Sequence, residues 1–307
     1  MFQAFQFGPF ILWTGLLLLL IGIWLSSEFF FRLALSANLS LQHMQDFWWW
    51  YVLAFVLGGR LVAVVAEYRV YLRDPLRIVV LWDGSFSFLG AALGIAVVLF
   101  IGTHFQRSTF LQWLDVLVPA TTLGLCLSWL GAFFAGQAYG KPTDAFFGVT
   151  YDAPNVRFAV PVHPVQLYYA IFYFLLTFLL LVVRKKAKRV GTETLVGILL
   201  ASLATFSFEF FRGDFAIPVF ATLFDFIMIG ALFLSLGVFA VVELRLTPRG
   251  TLLYELFLFT LSVGYLIARP WLELETYELR FSQLLTVLAL LATVVYVVFH
   301  RSKYPHL

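Results

Sequence analysis

The segment from Leu123 to Asp144 reads LGLCLSWLGAFFAGQAYGKPTD, an apolar run that ends in glycine and polar residues. Small residues recur four positions apart in it, first Gly131 with Ala135 and then Gly136 with Gly140. This spacing lets the backbones of two membrane helices approach closely. The segment therefore predicts a packed membrane helix that leaves the bilayer between Gly136 and Gly140.

The composition of the whole chain predicts the same environment. Of its 307 residues, 62% are hydrophobic and 12% are charged, whereas a soluble domain carries about 25% charged residues. The mean hydropathy is +0.93. Nine apolar stretches approach the roughly 20 residues that a membrane-spanning helix needs. They lie near residues 10–31, 47–66, 86–103, 113–136, 164–183, 195–211, 219–242, 251–268 and 283–299.

These stretches are continuously apolar, which favours helices over the alternating strands of a membrane β-barrel. We therefore expect an all-α, polytopic integral membrane protein with about nine transmembrane helices. Residues 1–9 carry no charged side chain, so the first span lacks the basic leader of a cleavable signal peptide and is expected to stay in the protein. Cys126 is the only cysteine and lies within a span, and the sequence predicts neither a metal site nor a cofactor.

The basic residues predict the orientation. The run RKKAKRV at 184–190 contains five basic residues and no acidic one, so the positive-inside rule places it in the cytoplasm. The N-terminus is then outside and the C-terminus is cytoplasmic. We favour this reading of the run over a dedicated anionic-lipid site. The loop with Arg69, Arg73 and Arg77 falls outside by the same count and is an exception. Because cytoplasmic loops account for the net charge of +3, we expect no nucleic-acid partner.

Polar side chains in or beside the spans are the candidates for function, because a charge in a membrane is costly. Arg60 lies in the second span with Glu67 two helical turns further on, and phosphate binding and packing both remain open for it. His163 lies between two prolines at the start of the fifth span, as a catalytic base or as a helix-start histidine bonded to an external loop. Glu209 and Arg212, at the end of the sixth span, can pair on one helix face.

Six motifs follow one another along the chain. They are F-G-P at 7–9, W-T-G at 13–15, W-D-G-S-F-S-F-L-G at 82–90, the segment at 123–144, P-V-H-P-V-Q-L-Y at 161–168 and E-F-F-R-G-D at 209–214. In this order they resemble the motifs of the prolipoprotein diacylglyceryl transferases, a family that typically has seven spans. The resemblance implies a transferase-like membrane core at 1–243, with a small external cap at about 137–162. Residues 244–307 then add two extra C-terminal transmembrane helices.

The resemblance also implies an activity and its location. The family transfers the diacylglyceryl group of phosphatidylglycerol to the cysteine of a prelipoprotein, without a metal, at the outer side of the bacterial cytoplasmic membrane. The expected partners are therefore a membrane phospholipid, phosphatidylglycerol by resemblance, and the signal peptide of a prelipoprotein. Within this chemistry we assign His163 as the candidate catalytic residue, and Arg60, Arg212 and Glu209 as candidate phospholipid-binding residues.

At six positions this chain differs from the family pattern. The family has histidine at Leu89, arginine at Trp129, asparagine at Ala132 and at Ala135, glutamate at Gln137 and tyrosine at Thr14. These replacements remove an expected base and part of the charge that would bind phosphate, so transfer is expected to be much reduced or lost. The alternative is a catalytically silent homologue that binds phospholipid or another membrane protein. A transporter is a third reading, but the sequence lacks the inverted repeats and paired broken helices of transporters.

Overall fold

A computed structural model describes residues 4–7, 10–78, 80, 86–104, 106–152, 156–187, 189–242 and 248–303 of the protein. The described chain is mostly helical. Its α-helices are α1 (Thr14–Ser36), α2 (Gln42–Asp46), α3 (Trp48–Ala66), α4 (Tyr68–Arg73), α5 (Phe88–Gly102), α6 (Arg107–Ala135), α7 (Val165–Lys186), α8 (Thr192–Phe208), α9 (Leu223–Val242), α10 (Pro248–Ala268) and α11 (Phe281–Lys303). Single 3₁₀ turns follow at Pro75–Ile78, Glu209–Phe211 and Arg269–Trp271.

The long helices fall on the predicted spans. Among the described residues, seven helices are long and apolar enough to cross a membrane, and α5 and α9 provide two shorter apolar segments. Each of the nine predicted stretches coincides with one of these helices to within a few residues. The prediction of a helical, polytopic membrane protein is therefore confirmed.

Two short antiparallel strand pairs accompany the helices, and the sequence reading did not predict them. Strand β1 (Ala4–Phe7) pairs with β2 (Phe10–Trp13), so the first helix begins at Thr14 and not at the predicted position near residue 10. Strand β3 (Pro218–Thr222) pairs with β4 (Thr276–Arg280), which immediately precedes α11. A strand of four or five residues gives too short an alternation to be recognised in an apolar sequence.

Local chemistry sets where the helices begin and end. The hydroxyl of Ser87 accepts a hydrogen bond from the Gly90 N–H and so caps the start of α5. At the end of α6, Gly136 has φ +66°. The Gln137 N–H bonds to the Ala132 carbonyl, and the Gly136 N–H bonds to the Phe133 carbonyl. This is a Schellman cap, in which glycine tolerates the left-handed conformation. The helix therefore ends at Ala135, immediately before the stretch from Gly136 to Gly140 where the sequence predicts that the segment leaves the bilayer.

The chain forms two compact units. Unit 1 contains residues 1–19, 125–176 and 195–307, and unit 2 contains residues 20–124 and 177–194. In unit 2, helices α3 and α5 cross in close contact at Gly58 and Gly90. The backbones are so close that a Cβ on either glycine would collide with the carbonyl oxygen of the other. The core of unit 2 joins α1, α5 and α6 through Phe30, Leu33, Ala34, Leu99, Trp113, Val116 and Ala120.

Unit 1 contains the predicted cap segment. Residues of the cap form a buried cluster of Tyr139, Tyr151 and Val162. Val162 bridges Pro142 and Val149 in antiparallel fashion, so the cap is held by backbone pairing as well as by apolar burial. Gly15 and Gly131 pack against each other's carbonyl oxygens. This is the close backbone approach that the small-residue spacing of α6 predicted. The predicted domain boundary at residue 243 stays a prediction. Strand β3 precedes this boundary and β4 follows it, so their pairing joins the two predicted domains.

Candidate functional site

The site in unit 1 is built around Trp129, at a position where the family pattern has arginine. Its indole stacks on Tyr169 of α7, with ring centroids 4.1 Å apart and an interplanar angle of 7°. Tyr169 is 1% exposed, and its hydroxyl donates to Glu209 Oε1 at 3.2 Å. An uncharged aromatic pair therefore lies beside the buried carboxylate of Glu209.

Glu209 belongs to a network of two acidic and two basic side chains. Arg212 donates from Nη1 to Glu209 Oε1 at 2.7 Å, and from Nε and Nη2 to the two carboxylate oxygens of Asp214 at 3.0 and 2.5 Å. Arg280 donates from Nη1 to Asp214 Oδ1 at 3.0 Å, and this nitrogen lies 3.6 Å from Glu209 Oε2. The predicted pairing of Glu209 with Arg212 is present, and Asp214 and Arg280 complete a network of zero formal charge.

Burial and charge act on Arg212 in opposite directions. Burial alone would lower the pKa of its guanidinium, but the hydrogen bonds and charges of Asp214 and Glu209 outweigh it and raise the pKa above its usual value. Arg212 therefore stays positively charged, and all three of its guanidinium nitrogens donate to carboxylates. Three of its five N–H groups already donate to carboxylates, so a phosphate that binds here shares Arg212 with Glu209 and Asp214.

Backbone contacts hold the cap against this network. The Lys141 N–H donates to the Phe211 carbonyl, and the Gly213 N–H donates to the Tyr139 carbonyl. A Cβ on Gly213 would collide with the Gly140 carbonyl. The close approach of these two glycines brings the end of the cap beside the E-F-F-R-G-D segment.

His163 lies next to the same segment. The backbone N–H of His163 donates to the Lys141 carbonyl. The ring nitrogen Nδ1 of His163 lies 3.0 Å from the hydroxyl of Tyr168. The imidazole is flanked by Phe211, with ring centroids 5.2 Å apart, and by Phe147 at 6.2 Å. The arrangement fixes the ring in an aromatic setting, while the choice between a catalytic and a helix-start role for His163 stays a prediction.

Arg60 lies in unit 2 and is 5% exposed. Its guanidinium donates to the carbonyls of Arg77, Ile78 at 3.1 Å and Val80 at 2.8 Å. It also lies 5.2 Å from the ring centroid of Tyr71. Through these contacts Arg60 holds the segment that follows α4 against α3. Its predicted role in binding phospholipid stays a prediction.

The other replaced family positions lie in different surroundings among the described residues. Thr14 is buried at the start of α1, and Ala135 packs against Gly15. Leu89 is 43% exposed on α5. Gln137 is exposed, and its carbonyl accepts a hydrogen bond from the buried amide of Gln166 at 2.6 Å. Residues 82–85 of the W-D-G motif lie outside the described residues.

Sequence reasoning missed Arg280, Asp214 and Tyr169 as members of the site. Arg280 lies 66 residues from Asp214, so no local spacing connects them. One signal was available, because Arg280 is a charged residue directly before the last predicted span, where a buried charge needs a partner. Asp214 was visible two residues after Arg212 in the same motif.

Comparison with known proteins agrees with the motifs. The family model for prolipoprotein diacylglyceryl transferase matches residues 3–299. A phosphatidylglycerol–prolipoprotein diacylglyceryl transferase of Pseudoalteromonas atlantica is 31% identical over 216 residues, which cover 68% of this chain and 74% of the relative. The protein of the same name from Parasynechococcus marenigrum is 34% identical over 224 residues, covering 68% and 79%. This multi-pass membrane chain therefore belongs to the prolipoprotein diacylglyceryl transferase family.

Proposed function

We propose that this protein keeps the membrane scaffold of its family, while its transfer of diacylglyceryl from phosphatidylglycerol to a prelipoprotein cysteine is much reduced or lost. The observation that carries the proposal is Trp129, whose indole stacks on Tyr169 beside Glu209. Where the resemblance implies a cation for phosphate, the chain has an apolar ring that occupies the space.

The charge balance of the network supports the same proposal. Phosphate departure in the transfer reaction develops negative charge, which cationic donors must stabilise. Arg212 and Arg280 are each matched by Glu209 and Asp214, so the network has no surplus positive charge to offer. Losing one donor of this kind costs about 10²–10³ in rate, and opening the network adds to that cost.

The proton acceptor is the second requirement. The thiol of the acceptor cysteine must lose its proton to become a nucleophile, and Leu89 cannot accept one. His163 is the remaining candidate, with Nδ1 beside the Tyr168 hydroxyl. If His163 does not accept the thiol proton, the alternative function is that of a catalytically silent homologue that binds phospholipid or another membrane protein. The names of the relatives supply phosphatidylglycerol and a prolipoprotein as the proposed partners, and the signal peptide of the prelipoprotein comes from the family resemblance alone.

A direct transfer assay tests the proposal. The purified protein is reconstituted in phosphatidylglycerol vesicles with a lipobox peptide, and diacylglyceryl-peptide and released glycerol phosphate are both measured. The Pseudoalteromonas atlantica relative is the positive control. We expect transfer at least about 100-fold below that of the relative. Turnover within tenfold of the relative, abolished by His163→Ala, would show an active enzyme with a relocated base.

A gain-of-function variant gives the complementary test. Leu89→His together with Trp129→Arg restores two family side chains, and the expected result is a measurable rise in transfer if the scaffold keeps the family geometry. The variant buries a new arginine, which is costly without partners. Its folding is therefore checked by elution as a single species before the assay, and Leu89→His alone serves as the variant without that burden.

A further inference from the structure

A polar cavity lies in unit 2, at the turn between α7 and α8. It has a volume of about 170 Å³ and is lined by Ala37, Gln112, Asp115, Arg184, Ala187, Arg189, Val190 and Glu193. Because α7 and α8 are both long, apolar helices, the turn between them lies where the chain reverses at a membrane surface. Lipid headgroups are present at that depth.

One acidic side chain of the cavity is already committed to structure. Asp115 of α6 accepts hydrogen bonds from the Gly191 N–H at 2.5 Å and from the Thr194 N–H at 2.9 Å, as well as from the Thr194 hydroxyl. It thus caps the start of α8 from another helix. Both carboxylate oxygens of Asp115 are therefore occupied.

Arg184 donates from Nη2 to the Leu33 carbonyl at 3.4 Å, but one further atom of Arg184 and one of Glu193 lack hydrogen bonds within the part of the chain that the structure describes. Glu193 Oε2 and Arg184 Nη1 are buried polar atoms without a hydrogen-bond partner among the described residues. The Glu193 side chain is 8% exposed, and its Oε1 lies 3.9 Å from Arg184 Nε. This distance is too long for a hydrogen bond. A buried polar group without a partner is costly, so the pair leaves one acceptor and one donor for a ligand that offers the opposite groups.

The charges of the cavity point to the ligand class. Among the lining residues, Asp115 and an ionised Glu193 balance Arg184 and Arg189, so the lining offers a site for a positive group as well as for a negative one. A zwitterion with a phosphate and a primary ammonium matches both ends. The phosphate accepts from Arg184, with the exposed Arg189 at the rim, and the ammonium donates to Glu193 Oε2.

We infer that this cavity binds the phosphoethanolamine headgroup of a membrane phospholipid, with the phosphate at Arg184 and the ammonium at Glu193. The site is independent of the proposed transfer function, because its residues belong to a different compact unit from the Glu209 network. The same headgroup chemistry exists in soluble phosphoethanolamine, so the test must separate the two sources.

Native mass spectrometry of the full-length protein tests the inference. The protein is incubated in detergent with equal amounts of phosphatidylethanolamine, phosphatidylcholine and phosphatidylglycerol of identical acyl chains. Phosphatidylcholine keeps the positive charge but has no N–H donor. We expect phosphatidylethanolamine to be retained about tenfold over phosphatidylcholine, which corresponds to one charge-assisted hydrogen bond. Soluble phosphoethanolamine at millimolar concentration should not displace it.

Two variants separate the ends of the headgroup. Glu193→Gln should bring the ratio of phosphatidylethanolamine to phosphatidylcholine close to one, while Arg184→Gln should lower the retention of both lipids together. Glu28→Gln changes an exposed carboxylate of the same unit and should leave the ratio unchanged.

Equal retention of phosphatidylethanolamine and phosphatidylcholine by the unmodified protein would overturn the inference. This measurement needs no variant and remains decisive if Glu193→Gln fails to fold. Displacement by soluble phosphoethanolamine would instead assign the site to a free metabolite and overturn its assignment to a lipid.

Discussion

Arg280→Met tests how much the network of Glu209, Arg212, Asp214 and Arg280 contributes to stability. The substitution removes hydrogen bonds from Arg280 to Asp214 Oδ1 and to the Arg212 and Asp214 carbonyls, at 2.9–3.0 Å. It also removes a cation that lies 3.6 Å from Glu209 Oε2, a buried oxygen without a hydrogen-bond partner in the described part of the chain. Breaking a buried ion pair costs about 3–5 kcal/mol.

The lower end of that range applies here. The side chains of Arg280 and Asp214 are 16% and 18% exposed, and Arg212 still neutralises Asp214 in the variant. We therefore expect a loss of about 3 kcal/mol, which lowers the unfolding midpoint by about 6 °C at roughly 2 °C per kcal/mol for a chain of this size.

The single cysteine provides the assay. Cys126 is 6% exposed, so a thiol-reactive fluorescent dye labels it when the protein unfolds on heating. Arg32→Met is the matched control, because its partner Glu28 and Arg32 itself are 48% and 76% exposed. An exposed pair of this kind contributes about 0.5 kcal/mol. If the two variants unfold within about 1 °C of each other, the network does not stabilise the protein and the reasoning is wrong.

Three further predictions concern topology, helix packing and the replaced arginine position. Reporter fusions after Arg189 should report the cytoplasm and fusions near Glu275 the exterior; a cytoplasmic signal at Glu275 would mean that α10 and α11 do not both span. Gly90→Val should separate α3 from α5 and lower the unfolding midpoint by several degrees. Gly230→Ala is the control and should leave the midpoint unchanged, because a Cβ on Gly230 meets nothing within 4 Å. Equal midpoints for the two variants would refute the close crossing of α3 and α5. Trp129→Phe should keep the stack on Tyr169 and most of the stability. Trp129→Ala should cost less than the about 3–5 kcal/mol of a fully buried tryptophan, because Trp129 is only partly buried, and the same thermal assay would measure both.

The sequence alone was sufficient for the features that depend on residues close together in the chain. The nine apolar stretches predicted the long helices because transfer of a helix into lipid depends on the composition of about 20 consecutive residues. The end of α6 before Gly136 could be predicted because a Schellman cap needs only one left-handed glycine and its neighbours. Family membership followed from short motifs in a fixed order.

Only the tertiary structure could bring together residues that are distant in the chain. Arg280 contacts Asp214 across 66 positions, Asp115 caps α8 from α6, and Trp129 stacks on a tyrosine of α7. Their side chains meet because helices pack at particular rotations, which composition does not specify. A buried charge must find a partner, but which partner it finds depends on that packing. The sequence predicted that Arg212 can pair with Glu209, and only the structure showed Asp214 as its second partner.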